Sequence, residues 1–190
     1  MPTIFSHSMV GLAAGKIFQQ SNKKRFWILS LICPAIPDAD VIGWYFGVNY
    51  LDLFGHRGIT HSIFFALLLG IIVWVIFFRK ENMSRKNSLF LIIYFSLITM
   101  SHGILDGLTN GGEGVAFFAP FDNSRYFFPF TPIEVSPLNL GAFFGERGLQ
   151  VILNELIWIL IPVTVLVIIK FVIIKFKKTT YKIFSYLFRT

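Results

Sequence analysis

Four histidines and several aspartates stand in a largely apolar chain that has little reason to keep them. In Ser-His-Gly-Ile-Leu-Asp, residues 101–106, His102 and Asp106 are four apart. On a helix that spacing places both side chains on one face, about one turn apart. A neutral imidazole and a carboxylate so placed can ligate one divalent cation, although such a pair alone is more often a polar contact at a helix end. Pro37-Asp38-Ala39-Asp40 offers two carboxylates one residue apart behind a proline. They read either as a turn with an Asp cap or as a ligand pair able to bridge two ions. In His-Arg-Gly-Ile-Thr-His-Ser, residues 56–62, His56 and His61 would fall on different faces of a continuous helix. Gly58 permits a sharp turn, however. With Gly58 or Thr60 as N-cap of the apolar run that follows, His56 can fold back while His61 projects from the first turn. His7, in Phe-Ser-His-Ser, precedes the first apolar segment.

The elements that must position these groups are membrane helices. Of 190 residues, 55% are hydrophobic, 17% aromatic and 14% charged, against roughly 25% charged in soluble domains. Ile63 to Phe78, Leu89 to Leu105 and Leu149 to Ile174 are apolar runs close to the roughly 20 residues that a bilayer requires. Met9 to Phe18 and Phe26 to Ile36 are shorter, joined by residues 19–25, and Pro34 and Pro37 should end the second of them. They read equally as short spans or as a re-entrant hairpin. The expected fold is an all-α polytopic bundle of about five segments. Residues 1–147 would form the functional region, with an outer loop at 107–147, and 148–190 a C-terminal span with a basic tail.

Charge sets the expected orientation. Lys16, Lys23, Lys24, Arg25, Arg79, Lys80, Arg85, Lys86, Lys170, Lys175, Lys177, Lys178, Lys182 and Arg189 all fall on one side of a five-segment alternation. The positive-inside rule makes that side cytoplasmic, with the C-terminus there. The net charge of +7 is thereby explained without a nucleic-acid partner. The other side receives Arg57, Arg125, Arg147, all acidic residues except Glu81, and all four histidines. Cys33 is the single cysteine, which excludes an internal disulfide and a cysteine metal site. The first residues lack the basic region of a signal peptide, so the chain is expected to stay whole in the membrane.

His7, Asp38, Asp40, His56, His61, His102 and Asp106 thus offer nitrogen and oxygen donors from four segment ends on one face. Ionisable groups near a bilayer are costly and functional by default. The donor set suits one or two ions of zinc, manganese or iron. Arg57 and Arg125 are candidates to clamp a phosphate. The glycine-rich stretch 107–114 has no phosphate-loop lysine, and neither GxSxG nor HExxH occurs. Residues 117–140 (FFAPFDNSRYFFPFTPIEVSPLNL) read as an aromatic, proline-rich cover lying in the interface.

Taken in order, the N-terminal Ser-His before a small-residue helix, PDAD, HRGITHS, HGILDGLT and APFDNSRY resemble the YdjM-type, LexA-regulated, membrane-bound metal-dependent hydrolases of bacteria. The resemblance runs from His7 to about Tyr126 and implies metal-dependent hydrolysis with the substrate undefined. A fainter likeness is to zinc-dependent phospholipases C, whose histidine, aspartate, histidine and His-x-x-x-Asp order is followed by His7, Asp38 or Asp40, His56 or His61, and His102 with Asp106. The later ligands of that pattern are missing, which implies fewer than three ions. The expected activity is metal-assisted hydrolysis of a phosphoester or lipid-related ester at the outer surface of a bacterial inner membrane, with Asp38 or Asp40 as general base or ligand. The alternative is a non-catalytic metal-binding transporter, sensor or scaffold. Transport sites favour broken helices near the midplane, whereas these donors lie at span ends.

Overall fold

A computed structural model describes residues 1–18, 23–137 and 139–187. The linker at 19–22 and Arg189 lie outside the described residues. Helix α1 is Ile4–Phe18, α2 Lys24–Ile32, α3 Ile63–Phe77, α4 Arg85–Gly107, α5 Leu140–Phe143, α6 Glu146–Glu155 and α7 Ile161–Leu187. A π-helical turn, Leu156–Leu160, joins α6 to α7. Among the described residues the only extended pairing is two isolated bridges, Thr109 with Ile133 and Val115 with Tyr126. The protein is an all-α membrane bundle.

Three stretches are long and apolar enough to cross a bilayer: Lys24–Phe46, Arg85–Gly107 and Glu146–Lys177. Ile4–Phe18 and Ile63–Phe77 are shorter apolar helices. Two expectations need correction here. Pro34 and Pro37 do not end the second segment; α2 passes into a 3-10 stretch, Cys33–Phe46, which stops at Gly47 with φ +78°. Pro34 occupies a first-turn position where no N–H is required, and the tighter winding carries the chain past Pro37. The cap of α3 is neither Gly58 nor Thr60 but Ser62, whose Oγ accepts from Phe65 N at 3.1 Å. Gly58 instead opens a short 3-10 turn, Ile59–His61.

The bundle closes on one aromatic core. Phe26 stacks on Tyr94 at 5.1 Å, and Phe78 on Phe95 at 5.7 Å. Leu29, Cys33, Val73, Leu91 and Ile98 complete it. Tyr94 bonds Ser30 Oγ at 2.8 Å and donates to Gly11 O at 3.3 Å, so α1, α2 and α4 meet at one hydroxyl. Lipid tails are as apolar as the helix surfaces, so close backbone approach must supply the attraction. Gly70 of α3 shows this: a Cβ there would overlap Ser96 Oγ and lie 2.7 Å from Ile92 O on α4.

Gly70→Leu is therefore expected to separate α3 from α4 and cost about 1–3 kcal/mol, read as an earlier thermal transition in detergent. An unshifted transition would mean that the two helices do not pack this closely.

Candidate metal centre

The five segments bring His7, Asp38, Asp40, His56, His61, His102 and Asp106 to one end of the bundle. The side chains of His7, His61, His102 and Asp106 are fully buried, and Asp38 is 7% exposed. His7 stands one turn into α1, and its ring stacks on His102 at 3.7 Å between centroids. His102 and Asp106 occupy successive turns near the end of α4. Gly103, between them, allows the His61 carbonyl within 2.6 Å of where a Cβ would sit.

Local backbone chemistry fixes which ring nitrogens face inward. Pro37 has no N–H to offer the carbonyl three residues back, Pro34, and His102 Nδ1 donates to that carbonyl at 2.7 Å. A carbonyl only accepts, so Nδ1 carries the proton and Nε2 keeps its lone pair. His61 follows the same logic: its Nδ1 lies 3.2 Å from Asp40 Oδ2 and 3.0 Å from Thr60 Oγ1. Its Nε2 then lies 2.9 Å from His102 Nε2, 3.3 Å from Asp106 Oδ2 and 3.7 Å from Asp38 Oδ1. His102 Nε2 is 3.3 Å from Asp38 Oδ1. With both imidazoles neutral, two lone pairs and two carboxylates would converge on one small volume, so a proton or a cation has to lie between them.

Asp40 has a different position. Its Oδ1 accepts from His56 Nδ1 at 2.7 Å, and its Oδ2 accepts from Thr60 Oγ1 at 2.7 Å and Arg57 N at 3.2 Å. Asp40 is thus saturated by donors and orients two imidazoles. Asp38 is the opposite case, because neither of its oxygens has a hydrogen-bond partner, and the same holds for both Asp106 oxygens and both His7 nitrogens. Buried polar atoms are normally satisfied. A cation among Asp38, His61, His102 and Asp106, whose ligand atoms all lie within 4.8 Å of one another, would satisfy one oxygen each of Asp38 and Asp106; His7 stands outside this group. A second group, Asp40 with His56 and His61, meets the same spacing. Burial opposes a charge on His61, but the carboxylates of Asp106, Asp38 and Asp40 prevail and raise its pKa to about 10. The local field calls for a positive species, and a proton on His61 is the smallest that answers. The residues present fit a divalent metal.

Arg57 sits at the edge of the cluster, 1% exposed, with Nε 3.1 Å from Asp106 Oδ2. Its Nη1 donates to Gly111 O at 2.9 Å and its Nη2 to Thr109 Oγ1 at 3.0 Å. Its φ of +62° is the one left-handed non-glycine backbone among the described residues, at a cost of about 1–2 kcal/mol. Arg125 stacks over Tyr50 and donates to His56 O at 2.9 Å and Tyr50 O at 2.8 Å. It pins the loop carrying His56 to the cover segment. A cavity of about 220 Å³ lined by Met1, Tyr50, His56, Arg57, Gly112, Val135 and Ser136 adjoins the cluster.

The sequence reading missed Glu155. It is 3% exposed and accepts from Thr3 Oγ1 and Ser6 Oγ, each at 2.6 Å, at the start of α1. The signal available was a carboxylate inside an apolar run, which has to find donors. Its neighbour Asn154 binds the cover, accepting from Glu134 N at 2.8 Å and donating to Pro132 O at 3.0 Å.

The profile of the YdjM inner membrane protein family matches residues 1–179. The chain belongs to that family. It is also 34% identical over 163 residues to inner membrane protein YbcI of Escherichia coli (strain K12), covering 85% of this chain and 92% of that one. No solved structure matches. Membership bears out the resemblance carried by PDAD, HRGITHS and HGILDGLT, and with the apolar helices it places this YdjM-family chain in a membrane.

Metal content separates the two classes of residue. His102→Ala is expected to lose bound metal altogether. Asp40→Asn should keep the stoichiometry but weaken affinity about 10–100-fold, by competition with a chromophoric chelator. Equal losses in both variants would instead make Asp40 a ligand.

Proposed function

We propose that the protein is a membrane-bound metal-dependent hydrolase acting on a phosphoester or related lipid-linked ester at the outer face of the inner membrane. The observation that carries this is the set of buried atoms with no hydrogen-bond partner on His7, Asp38 and Asp106, Asp106 having only its ion pair with Arg57, placed against two imidazoles whose Nδ1 protons are already assigned. Asp38, His61, His102 and Asp106 would hold the metal, with His7 beside Asp106 at 3.6 Å. A divalent ion supplies Lewis acidity and a water acidic enough to react near neutral pH.

The chain's own groups do the rest. Asp40 holds His61 and His56 in one tautomer and orientation. Asp38, whose oxygens are unclaimed, is better placed than Asp40 to take a proton or a metal. Arg57 lines the adjoining cavity and lends charge to an anionic group there, and Arg125 adds positive charge behind Tyr50. His56 also lines that cavity. Phospholipid head groups and lipid-linked phosphates are the substrate class that this position favours. The second reading, a non-catalytic metal site, is favoured by the depth of burial, since it needs every coordination position filled by protein.

Purified protein should carry one or two equivalents of zinc, manganese or iron and hydrolyse a member of a phosphodiester and phospholipid panel. Chelation should abolish turnover and re-addition restore it. Full metal occupancy with no turnover on the whole panel would favour the non-catalytic site.

Orientation has its own test. With Cys33 replaced by alanine, Asp122→Cys should react with a membrane-impermeant maleimide in intact spheroplasts and Glu81→Cys only after lysis. The reverse pattern would put the site on the cytoplasmic side.

A further inference from the structure

A second feature, independent of any catalysis, runs from Met9, two residues past His7, toward the end of the bundle opposite the histidines. A groove of about 330 Å³ runs between α1 and the C-terminal span. Leu12 and Ala13 of α1, Trp27 of α2, and Leu160, Val163 and Val167 line its length. The last three fall at helical spacing on one face of the span. Lys16 closes one end.

The charges there do not balance. Lys170 interrupts an apolar helix, and its Nζ reaches the Lys16 carbonyl at 2.6 Å. That carbonyl belongs to the last turn of α1, whose carbonyls lack intrahelical partners and whose dipole favours a cation. The Lys16 ammonium lies 5.0 Å over the Trp27 ring. Lysines of two different helices therefore meet at the last turn of α1, and neither pairs with a carboxylate among the described residues. Glu81, the acidic residue at this end, is engaged by Lys23 at 2.7 Å and by Arg25.

We infer that this groove binds an anionic phospholipid of the surrounding bilayer. Its phosphate would sit between Lys16 and Lys170 and one acyl chain would follow Ala13, Val163 and Val167 along the groove. The apolar length excludes a water-soluble anion as the main ligand. The paired lysines disfavour a zwitterionic head group, because its own cation would meet theirs. Basic pockets between membrane helices recognise anionic head groups by this chemistry.

The test uses Trp27 as reporter in full-length protein carrying Trp44→Phe, Trp74→Phe and Trp158→Phe. Its fluorescence is titrated in mixed micelles with tail-brominated phosphatidylglycerol or phosphatidylcholine. Phosphatidylglycerol should quench saturably at a mole fraction about tenfold lower or better. Adding Lys16→Gln and Lys170→Gln should erase that difference and leave the phosphatidylcholine curve in place. Ala13→Phe, which fills the groove without touching charge, should remove the saturable phase for both lipids. Unchanged helical circular dichroism establishes that each variant is folded. Identical curves for the two lipids in the reporter protein would reduce the groove to ordinary boundary lipid and overturn the proposal. So would a head-group preference that survives loss of both lysines. Protection of Trp27 from both lipids, with disulfide trapping of two copies through Val163→Cys, would assign the groove to a second copy instead.

Discussion

Two carboxylates, Asp38 and Asp106, are buried beside three imidazoles inside an apolar bundle, and their charge constrains what surrounds them. A buried carboxylate costs several kcal/mol unless it is paired and hydrogen-bonded. Arg57 offsets part of the charge through Asp106, and His61 can carry a proton. A divalent ion would take the place of that proton, because His61 Nε2 cannot both carry it and ligate. The same constraint explains why Asp40, one residue from Asp38's neighbour, is treated so differently. Its oxygens are spent on His56, Thr60 and the Arg57 amide, so it adds charge to the shell without adding an unsatisfied atom to the centre.

Backbone chemistry does much of the positioning. Pro37 withholds an N–H, which leaves the Pro34 carbonyl to fix the tautomer of His102. Gly103 removes a side chain where the His61 carbonyl must pass. Arg57 accepts a left-handed conformation, which points its amide at Asp40 while its guanidinium reaches Asp106. A strained backbone persists only where its surroundings over-determine it, and here three partners hold one side chain.

Much of this was legible in the residues. The apolar runs and the basic clusters gave five segments, and the alternation put every histidine at one end, where the structure also has them. The HxxxD spacing placed His102 and Asp106 on one face without further help. What could not be read was anything depending on a hydrogen bond between distant segments. PDAD does not reveal that Asp40 is claimed by HRGITHS while Asp38 is left free, because that division follows from the turn at Arg57. Pro34 and Pro37 read as a stop because helix rules concern the α form, and a 3-10 continuation evades them. Ser62 is not legible as the cap because Gly58 and Thr60 carry the turn signal, and only the 3-10 turn Ile59–His61 moves the helix start past them.

The C-terminal span completes the positioning from far along the chain. It runs parallel to α1, meeting it through Glu155 at the start of α1 and Lys170 at its end. Parallel helices align their dipoles unfavourably, yet these two charges are matched to the ends they touch: a carboxylate at the positive N-terminus of α1 and an ammonium at its negative C-terminus. At 1.5 Å per residue, Glu155 and Lys170 are about 22 Å apart, close to the roughly 20 Å between Thr3 and Lys16. A slip of one turn would break both contacts together. The height of His7 beside Asp106 is therefore set by two residues of a segment that carries no ligand of its own.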